Sequence, residues 1–326
     1  DTLIDSGTIA GLNGGASQLG IYPAGNWPAS SGTYYLIVLL DNAGGEDTDV
    51  GNNETYAGPF TVNDPPNYAV IGETDPVAPA LVGSTVAPAA FRIQEMSGNP
   101  GGAPISWAVR ASTDPFADGG DFVIASGTSS PLAGDDAAPG GDDEIIIDLS
   151  SESWPSMPGL YYLIVTTSAV DDSDATDNTL ISPQRYAIAD LLEIEPNDDI
   201  GPTNSALAQV QNIGTIAVGQ TIVIAGDGSA TGDFDTYAFA ADGPLTNVRA
   251  RVGWSTGKDT FDLYLWDELN NESYLGDTAA DIEPATGDLS LGPWVDTEPG
   301  YVSVEMFDDD GGNDSGAVYL LEIWAD

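Results

Sequence analysis

The sequence predicts an all-β chain: tandem Ig-like antiparallel β-sandwiches followed by a jelly-roll-like β-sandwich. Three observations carry this. Short apolar or alternating runs recur throughout the 326 residues, separated by clusters of Gly, Pro, Asn, Asp and Ser. No stretch keeps a convincing helical period, and the best, TNSALAQVQN at 203–212, would make only one or two turns. Finally, NWPASSGTYYLIV at 26–38 returns nearly unchanged as SWPSMPGLYYLIV at 153–165, so part of the chain is duplicated.

The duplication extends beyond that pair. DTLIDSGT at 1–8 matches DFVIASGT at 121–128, DVGNN at 49–53 matches DATDN at 174–178, and NYAV at 67–70 matches RYAI at 185–188. The order is the same in both copies, which places one repeat in 1–66 and a second in 67–189. Each Tyr-Tyr-Leu-Ile-Val strand is apolar on both faces, so it is expected at the centre of a sheet, covered on each side. Trp27 and Trp154, each followed by Pro, are expected to cap the core edge. The second repeat also holds two strands around a Gly-Pro loop at 90–115, for which the first has no counterpart. The first repeat therefore enters mid-domain and would lack about three strands. An upstream continuation of the chain is the expected supply, with β-strand addition from another molecule as the alternative.

Residues 190–326 read as a third unit with clean alternation. In NVRARVGW, Val248, Ala250, Val252 and Trp254 share one face and Arg249 and Arg251 the other. TFDLYLWD groups Phe261, Leu263 and Leu265; YVSVEMF and AVYLLEIW add two strands.

Composition limits the function. Asp and Glu number 52 against 6 Lys and Arg, for a formal charge of −46. Such a surface repels nucleic acid and anionic lipid, and suits a medium where salt or divalent cations screen it. With no Cys and no His, disulfides, zinc sites and imidazole or thiolate catalysis are excluded. No apolar run approaches the roughly 20 residues of a membrane span, so membrane insertion is not expected.

The sharpest chemistry lies where the third unit begins. Glu193, Glu195, Asn197 and Asp198 gather oxygen-bearing side chains in a short stretch, and GDGSATGDFDTYAF adds Asp227, Asp233 and Asp235 before a strand. An extended Glu-x-Glu puts two carboxylates on one side, and a turn after Pro196 can fold Asn197 and Asp198 toward them. Calcium wants six to eight hard oxygens, at about 2.3–2.6 Å. Other acidic stretches, DDSDATDN at 171–178 and FDDDGGNDSG at 307–316, are expected to be solvated hairpins, a calcium-binding turn being the alternative. Arg249 and Arg251 are expected to pair with neighbouring acids.

Two resemblances add to this reading. The Gly32–Val38 run with Asp41 and Asn52-Asn53, and the Gly159–Val165 run with Asp171 and Asp177-Asn178, resemble the cell-adhesion-related domain found in bacteria. That resemblance implies extracellular display and adhesion without catalytic residues. Glu-Ile-Glu-Pro-Asn-Asp followed by Gly-Asp-Phe-Asp-Thr-Tyr-Ala-Phe resembles the bacterial pre-peptidase C-terminal domain, found behind the catalytic units of secreted peptidases. Its collagen-binding members hold calcium between linker and loop, which implies Ca2+ ligands at Glu193, Glu195, Asn197, Asp198 and, less closely matched, Asp233, with Asp227 and Asp235 matched less closely still. Nothing in the sequence singles out a catalytic acid and nucleophile. The expectation is a non-catalytic, calcium-stabilised extracellular stalk, sheath or filament component of a bacterial surface. Its partners would be surface protein or polysaccharide, or copies of itself joined by β-strand addition. The alternative is an accessory region of a larger secreted hydrolase, binding a substrate or assisting export, with Tyr264, Trp266 and Tyr274 as an aromatic platform.

Overall fold

The computed structural model describes residues 3–7, 25–28, 30–40, 49–134, 141–195, 197, 210–228, 234–245, 247–254, 260–267, 272–275, 289–291, 299–307 and 317–326. Among them the chain is all-β, with one 3-10 turn at Val50–Asn52. The helical turns considered at 203–212 fall mostly outside the described residues; Gln211 and Asn212, at the end of that stretch, open a strand.

In the first repeat β1 (Gly32–Leu39) pairs antiparallel with β2 (Glu54–Val62) as a two-stranded sheet. Tyr35, Ile37, Leu39 and Tyr56 are exposed, and Trp27, tilted against Phe60, is about half exposed. The central, covered position expected of the Tyr-Tyr-Leu-Ile-Val strand is not found for this copy, because no second sheet packs on the hairpin among the described residues.

The second repeat is a sandwich. Its strands are β3 (Tyr68–Thr74), β4 (Ala80–Leu81), β5 (Ala90–Glu95), β6 (Ile105–Ser112), β7 (Phe122–Ser129), β8 (Glu144–Asp148), β9 (Gly159–Ser168), β10 (Thr179–Ile181) and β11 (Tyr186–Ala189). One sheet has the order β3-β5-β8; the other runs β4-β11-β9-β6-β7, with β10 also on β9. The repeated strand β9 is central here, flanked by β6 on one side and by β10 and β11 on the other. Leu163 and Val165 are fully buried in a core with Tyr68, Ile93, Ile105, Val109, Trp154 and Tyr186. Trp154 packs its ring on Tyr186, as expected of a residue closing the core edge.

The third unit is a sandwich of two five-stranded sheets. Its strands are β12 (Leu191–Leu192), β13 (Gln211–Ile216), β14 (Thr221–Gly228), β15 (Phe234–Ala241), β16 (Val248–Trp254), β17 (Thr260–Asp267), β18 (Glu272–Leu275), β19 (Leu289–Leu291), β20 (Pro299–Phe307) and β21 (Ala317–Ala325). The sheet orders are β12-β14-β21-β16-β19 and β13-β15-β20-β17-β18. Val248, Ala250, Val252 and Trp254 are buried between the sheets, and the alternating arginines face outward, where Arg249 pairs with Asp326 and Arg251 with Glu322. Leu263 and Leu265 join the same core.

A short seam links the second and third units. Ala187, Ala189, Val223, Ala225 and Leu320 form a small apolar cluster of their own. Only Asp190 separates β11 from β12; its N–H donates to the Val223 carbonyl, and its carboxylate accepts the Val223 N–H. β12 runs parallel to β14, which delivers the following acidic segment to the edge of that sheet.

Candidate metal centre

The acidic segment is laid out by the strand it follows. Glu193 N–H donates to the Ala225 carbonyl at 2.9 Å, so the chain continues the β12 pairing for one more residue. Ile194 is exposed, and its N–H is taken by the Gln211 side-chain carbonyl at 2.9 Å. Glu193 and Glu195 therefore fall on the same side of an extended stretch. At the far end Thr236 N–H donates to the Asn197 carbonyl at 3.0 Å, which fixes the segment to β15.

This brings three carboxylates together. Oxygens of Glu193, Glu195 and Asp235 all lie within 4.8 Å of one another. Asp235 is almost fully buried, sharing the inward row of β15 with Tyr237 and Phe239. Glu193 Oε2 accepts the Asp227 N–H at 2.9 Å, while Oε1 is buried with no hydrogen-bond partner. Glu195 Oε2 accepts the Asn197 N–H at 3.2 Å.

Asn197 is fully buried, and neither its Oδ1 nor its Nδ2 makes a well-formed hydrogen bond, although the Tyr237 hydroxyl lies beside it. Such an orphaned amide is costly to bury. The floor is a pair of hydrogen-bonded hydroxyls, Tyr237 and Tyr319. Burial pushes both well above tyrosine's ordinary value, and the Glu193 and Asp235 charges push the same way, so both stay protonated. Gly226 leaves the space: a Cβ there would come within 2.4 Å of the Tyr319 hydroxyl and 2.5 Å of Glu193 Oε2.

The donor set is all oxygen and strongly negative. The five described arginines bond Glu144, Thr166, the Trp254 carbonyl, Asp326 and Glu322. Three gathered carboxylates, an unsatisfied buried amide and no thiol or imidazole fit calcium among the common metals. Glu193, Glu195, Asn197 and Asp235 are the residues that would hold it.

Of the ligands expected from sequence, Glu193, Glu195 and Asn197 are brought together. Asp198 and Asp233 lie outside the described residues. Asp227 is exposed and contributes its backbone N–H. Asp235, the weakest sequence candidate beside Asp227, is the carboxylate that closes the group; its parity with Tyr237 and Phe239 was the signal for an inward position. Tyr264 and Trp266 stack face to face on the outer side of β17, with centroids 5.2 Å apart. Trp266 is buried and the Tyr264 hydroxyl donates to Glu305 at 2.7 Å, so the two do not form an open platform. The side chain of Tyr274 lies outside the described residues, as do Lys258 and residues 308–316.

No family model matches the chain, and no curated protein matches it. Three solved structures show distant likeness. The pre-peptidase C-terminal domain of a collagenase from Bacillus anthracis is 19% identical over 35% of this chain and 93% of that one, with a TM-score of 0.23. The secreted serine protease VesC from Vibrio cholerae is 12% identical over 80% of this chain and 51% of that one, with a TM-score of 0.23. The insecticidal delta-endotoxin Cry8Ea1 from Bacillus thuringiensis is 12% identical over 80% of this chain and 53% of that one, with a TM-score of 0.21. The chain thus spans about half the length of the last two. None of these likenesses is close enough to carry a function across, and the β-sandwich architecture rests on the strands and sheets themselves.

Proposed function

We propose that the chain is a non-catalytic, extracellular array of β-sandwich modules whose third module takes a calcium ion where its lead-in segment meets β15. In this reading it is the accessory region of a larger secreted hydrolase, binding an insoluble polymer or assisting export. The observation that carries the proposal is the convergence of Glu193, Glu195 and Asp235 around the buried Asn197. It falls at the segment whose sequence resembles the pre-peptidase C-terminal signature. The surplus of acid over base suits a saline, calcium-bearing medium outside the cell.

The test is calorimetric titration of the chelator-stripped chain with CaCl2, followed by co-sedimentation with insoluble collagen and with insoluble polysaccharide. The reading expects calcium binding that E193Q/D235N abolishes at this site, and calcium-dependent retention on one of the polymers. Unchanged binding in E193Q/D235N removes the metal site; no retention on either polymer removes the polymer-binding role.

A stalk or filament role is the second reading. The exposed apolar side chains on β1 and β2 favour it, since another sheet could cover them. Electron microscopy of the purified chain with calcium would show filaments under this reading and dispersed particles under the first.

A further inference from the structure

The β1–β2 hairpin repeats, pair by pair, one edge of the larger sheet of the second module. β1 meets β2 at Tyr34↔Phe60, Ile37↔Tyr56 and Leu39↔Glu54. The equivalent residues of β9 are Tyr161, Ile164 and Thr166, which meet Tyr186 of β11 and Ile181 and Thr179 of β10. β2 therefore takes the place of β10 and β11 together. Two local contacts recur as well. The Tyr34 hydroxyl donates to the Ser30 carbonyl at 2.8 Å, as the Tyr161 hydroxyl donates to the Met157 carbonyl at 3.0 Å. The Trp27 and Phe60 rings lie 5.3 Å apart, and their counterparts Trp154 and Tyr186 lie 5.8 Å apart.

The likeness ends at the other edge of the strand. β9 is flanked there by β6, antiparallel, with Val109 opposite Val165 and Ala111 opposite Leu163. The sheet β3-β5-β8 covers the inner face, and Leu163 and Val165 are 0% exposed. Among the described residues β1 pairs with β2 alone. Leu36, the counterpart of Leu163, is half-buried, and Val38, the counterpart of Val165, is 38% exposed. An open, apolar strand edge is a template for another strand.

The second module names the strand that fits. β6 reads ISWAVRAS, with Ile105, Val109 and Ala111 buried in the core and Trp107 packed against it. The fitting segment is thus extended, apolar at alternate positions and antiparallel to β1. Charge does not oppose it: β1 carries no charged residue and β2 only Glu54 at its end, in a chain of net charge −46. The acceptor is also formed in advance, since the Tyr34 anchor and the Trp27–Phe60 contact are already set. Such preorganisation lowers the ordering cost of taking a strand from outside. We propose that the edge of β1 away from β2 is a strand-acceptor site, whose occupant is an extended, alternately apolar segment of a separate polypeptide. It pairs with Leu36 to Leu39 as β6 pairs with Leu163 to Thr166. The proposal rests on the exposed β1–β2 surface used by the stalk or filament reading, and it needs neither filaments nor the calcium site.

The experiment is fluorescence anisotropy of the full chain with a labelled synthetic peptide of the β6 sequence, APISWAVRAST at 103–113. Compared with it are a scrambled peptide and two N-methylated ones, the first methylated at the residues equivalent to Ser106, Ala108 and Arg110, the second at those equivalent to Trp107, Val109 and Ala111. The expected result is binding of one parent peptide per chain and no binding of the scrambled one. Only one edge of an added strand pairs. One methylated peptide should therefore lose at least about tenfold in affinity, as for the loss of a few backbone hydrogen bonds, while the other binds like the parent. V38D should weaken binding by a similar factor. No binding of the parent, equal binding of the scrambled peptide, like behaviour of the two methylated peptides, or unaltered binding by V38D overturns the proposal. If V38D fails to fold, the pair of methylated peptides on wild type decides. Sedimentation velocity of the chain alone is expected to show no dimer; a dimer that V38D breaks gives the edge to a second copy and overturns the proposal. Peptide binding by a chain that stays dispersed in electron microscopy upholds it and removes the filament reading, and filaments without peptide binding do the reverse.

Discussion

Glu193 Oε2 accepts the backbone N–H of Asp227 at 2.9 Å, across 34 residues of chain. One carboxylate thereby joins the segment leaving the second module to the end of β14. Its other oxygen is buried without a hydrogen-bond partner, which makes Glu193 both a structural tie and a candidate ligand.

Removing calcium is expected to lower the melting temperature and to loosen the attachment of the third module. A ligand that binds only the folded state at 100 times its Kd stabilises by about 2.7 kcal/mol. E193Q/D235N should lose the part of that increment contributed by its site. G226A should weaken calcium binding too, because a Cβ there has to displace the Tyr319 ring as well as Glu193. Scanning calorimetry with and without excess chelator checks all three, and a wild-type melting curve indifferent to chelator counts against the site.

The two copies of the Trp-Pro motif should respond differently to truncation. Trp154 is almost fully buried against Tyr186, whereas Trp27 is about half exposed on Phe60. W154A should cost about 3–5 kcal/mol, as for other large aromatics removed from a core. W27A should cost well under half of that. Denaturant titration of each variant measures the difference; equal losses would mean that both tryptophans are equally covered in solution.

That contrast marks what the sequence could carry. Alternation is a local signal, so Val248, Ala250, Val252 and Trp254 were legible as one face and the arginines as the other. Coverage is not local. Tyr34 to Val38 and Tyr161 to Val165 read almost alike, yet only the second copy meets an opposing sheet among the described residues. The lead-in carboxylates were legible from their spacing, and Asp235 was underrated because its value depends on β15 turning that residue inward. The meeting of the connector 63–67 with the loop between β9 and β10 was the least legible. Asn67 and Asp177 are 110 residues apart, and nothing in DDSDATDN says that a connector lies beneath it.

Glu95 should make the second module sensitive to acid. Burial alone would raise its carboxyl, but the Ser97 hydroxyl and the N–H groups of Asn67, Ser97 and Gly98 together hold it below its ordinary value. A depressed carboxyl contributes stability that is present above the unfolded-state value, about 4.3, and is lost as pH falls through the lower folded value. E95Q should therefore destabilise at neutral pH, by about 1.5–3 kcal/mol for the loss of a charged hydrogen-bond acceptor. The deficit should shrink toward pH 3. Urea titrations across that range check it, and a deficit that does not vary with pH would assign the loss to packing.

Glu305 should do the reverse. It sits across the ladder from Asp262 on the outer side of β20, nearly buried, and accepts the Tyr264 hydroxyl. Burial raises its carboxyl, the Tyr264 hydrogen bond draws it partly back, and the Asp262 charge raises it again, leaving it above its ordinary value. The fold then favours the protonated form. The associated stability is full below the unfolded-state value and is lost as pH rises through the folded one, so at neutral pH the ionised carboxylate is a net burden. E305Q keeps the shape, can still accept from Tyr264 and never ionises. It should melt higher than wild type at pH 7, and the gain should vanish below about pH 4, where Glu305 is protonated in both states. Melting temperatures of the two proteins between those limits test the sign directly. A gain of the same size at both ends would mean that the charge on Glu305 is not what strains this face of the sheet.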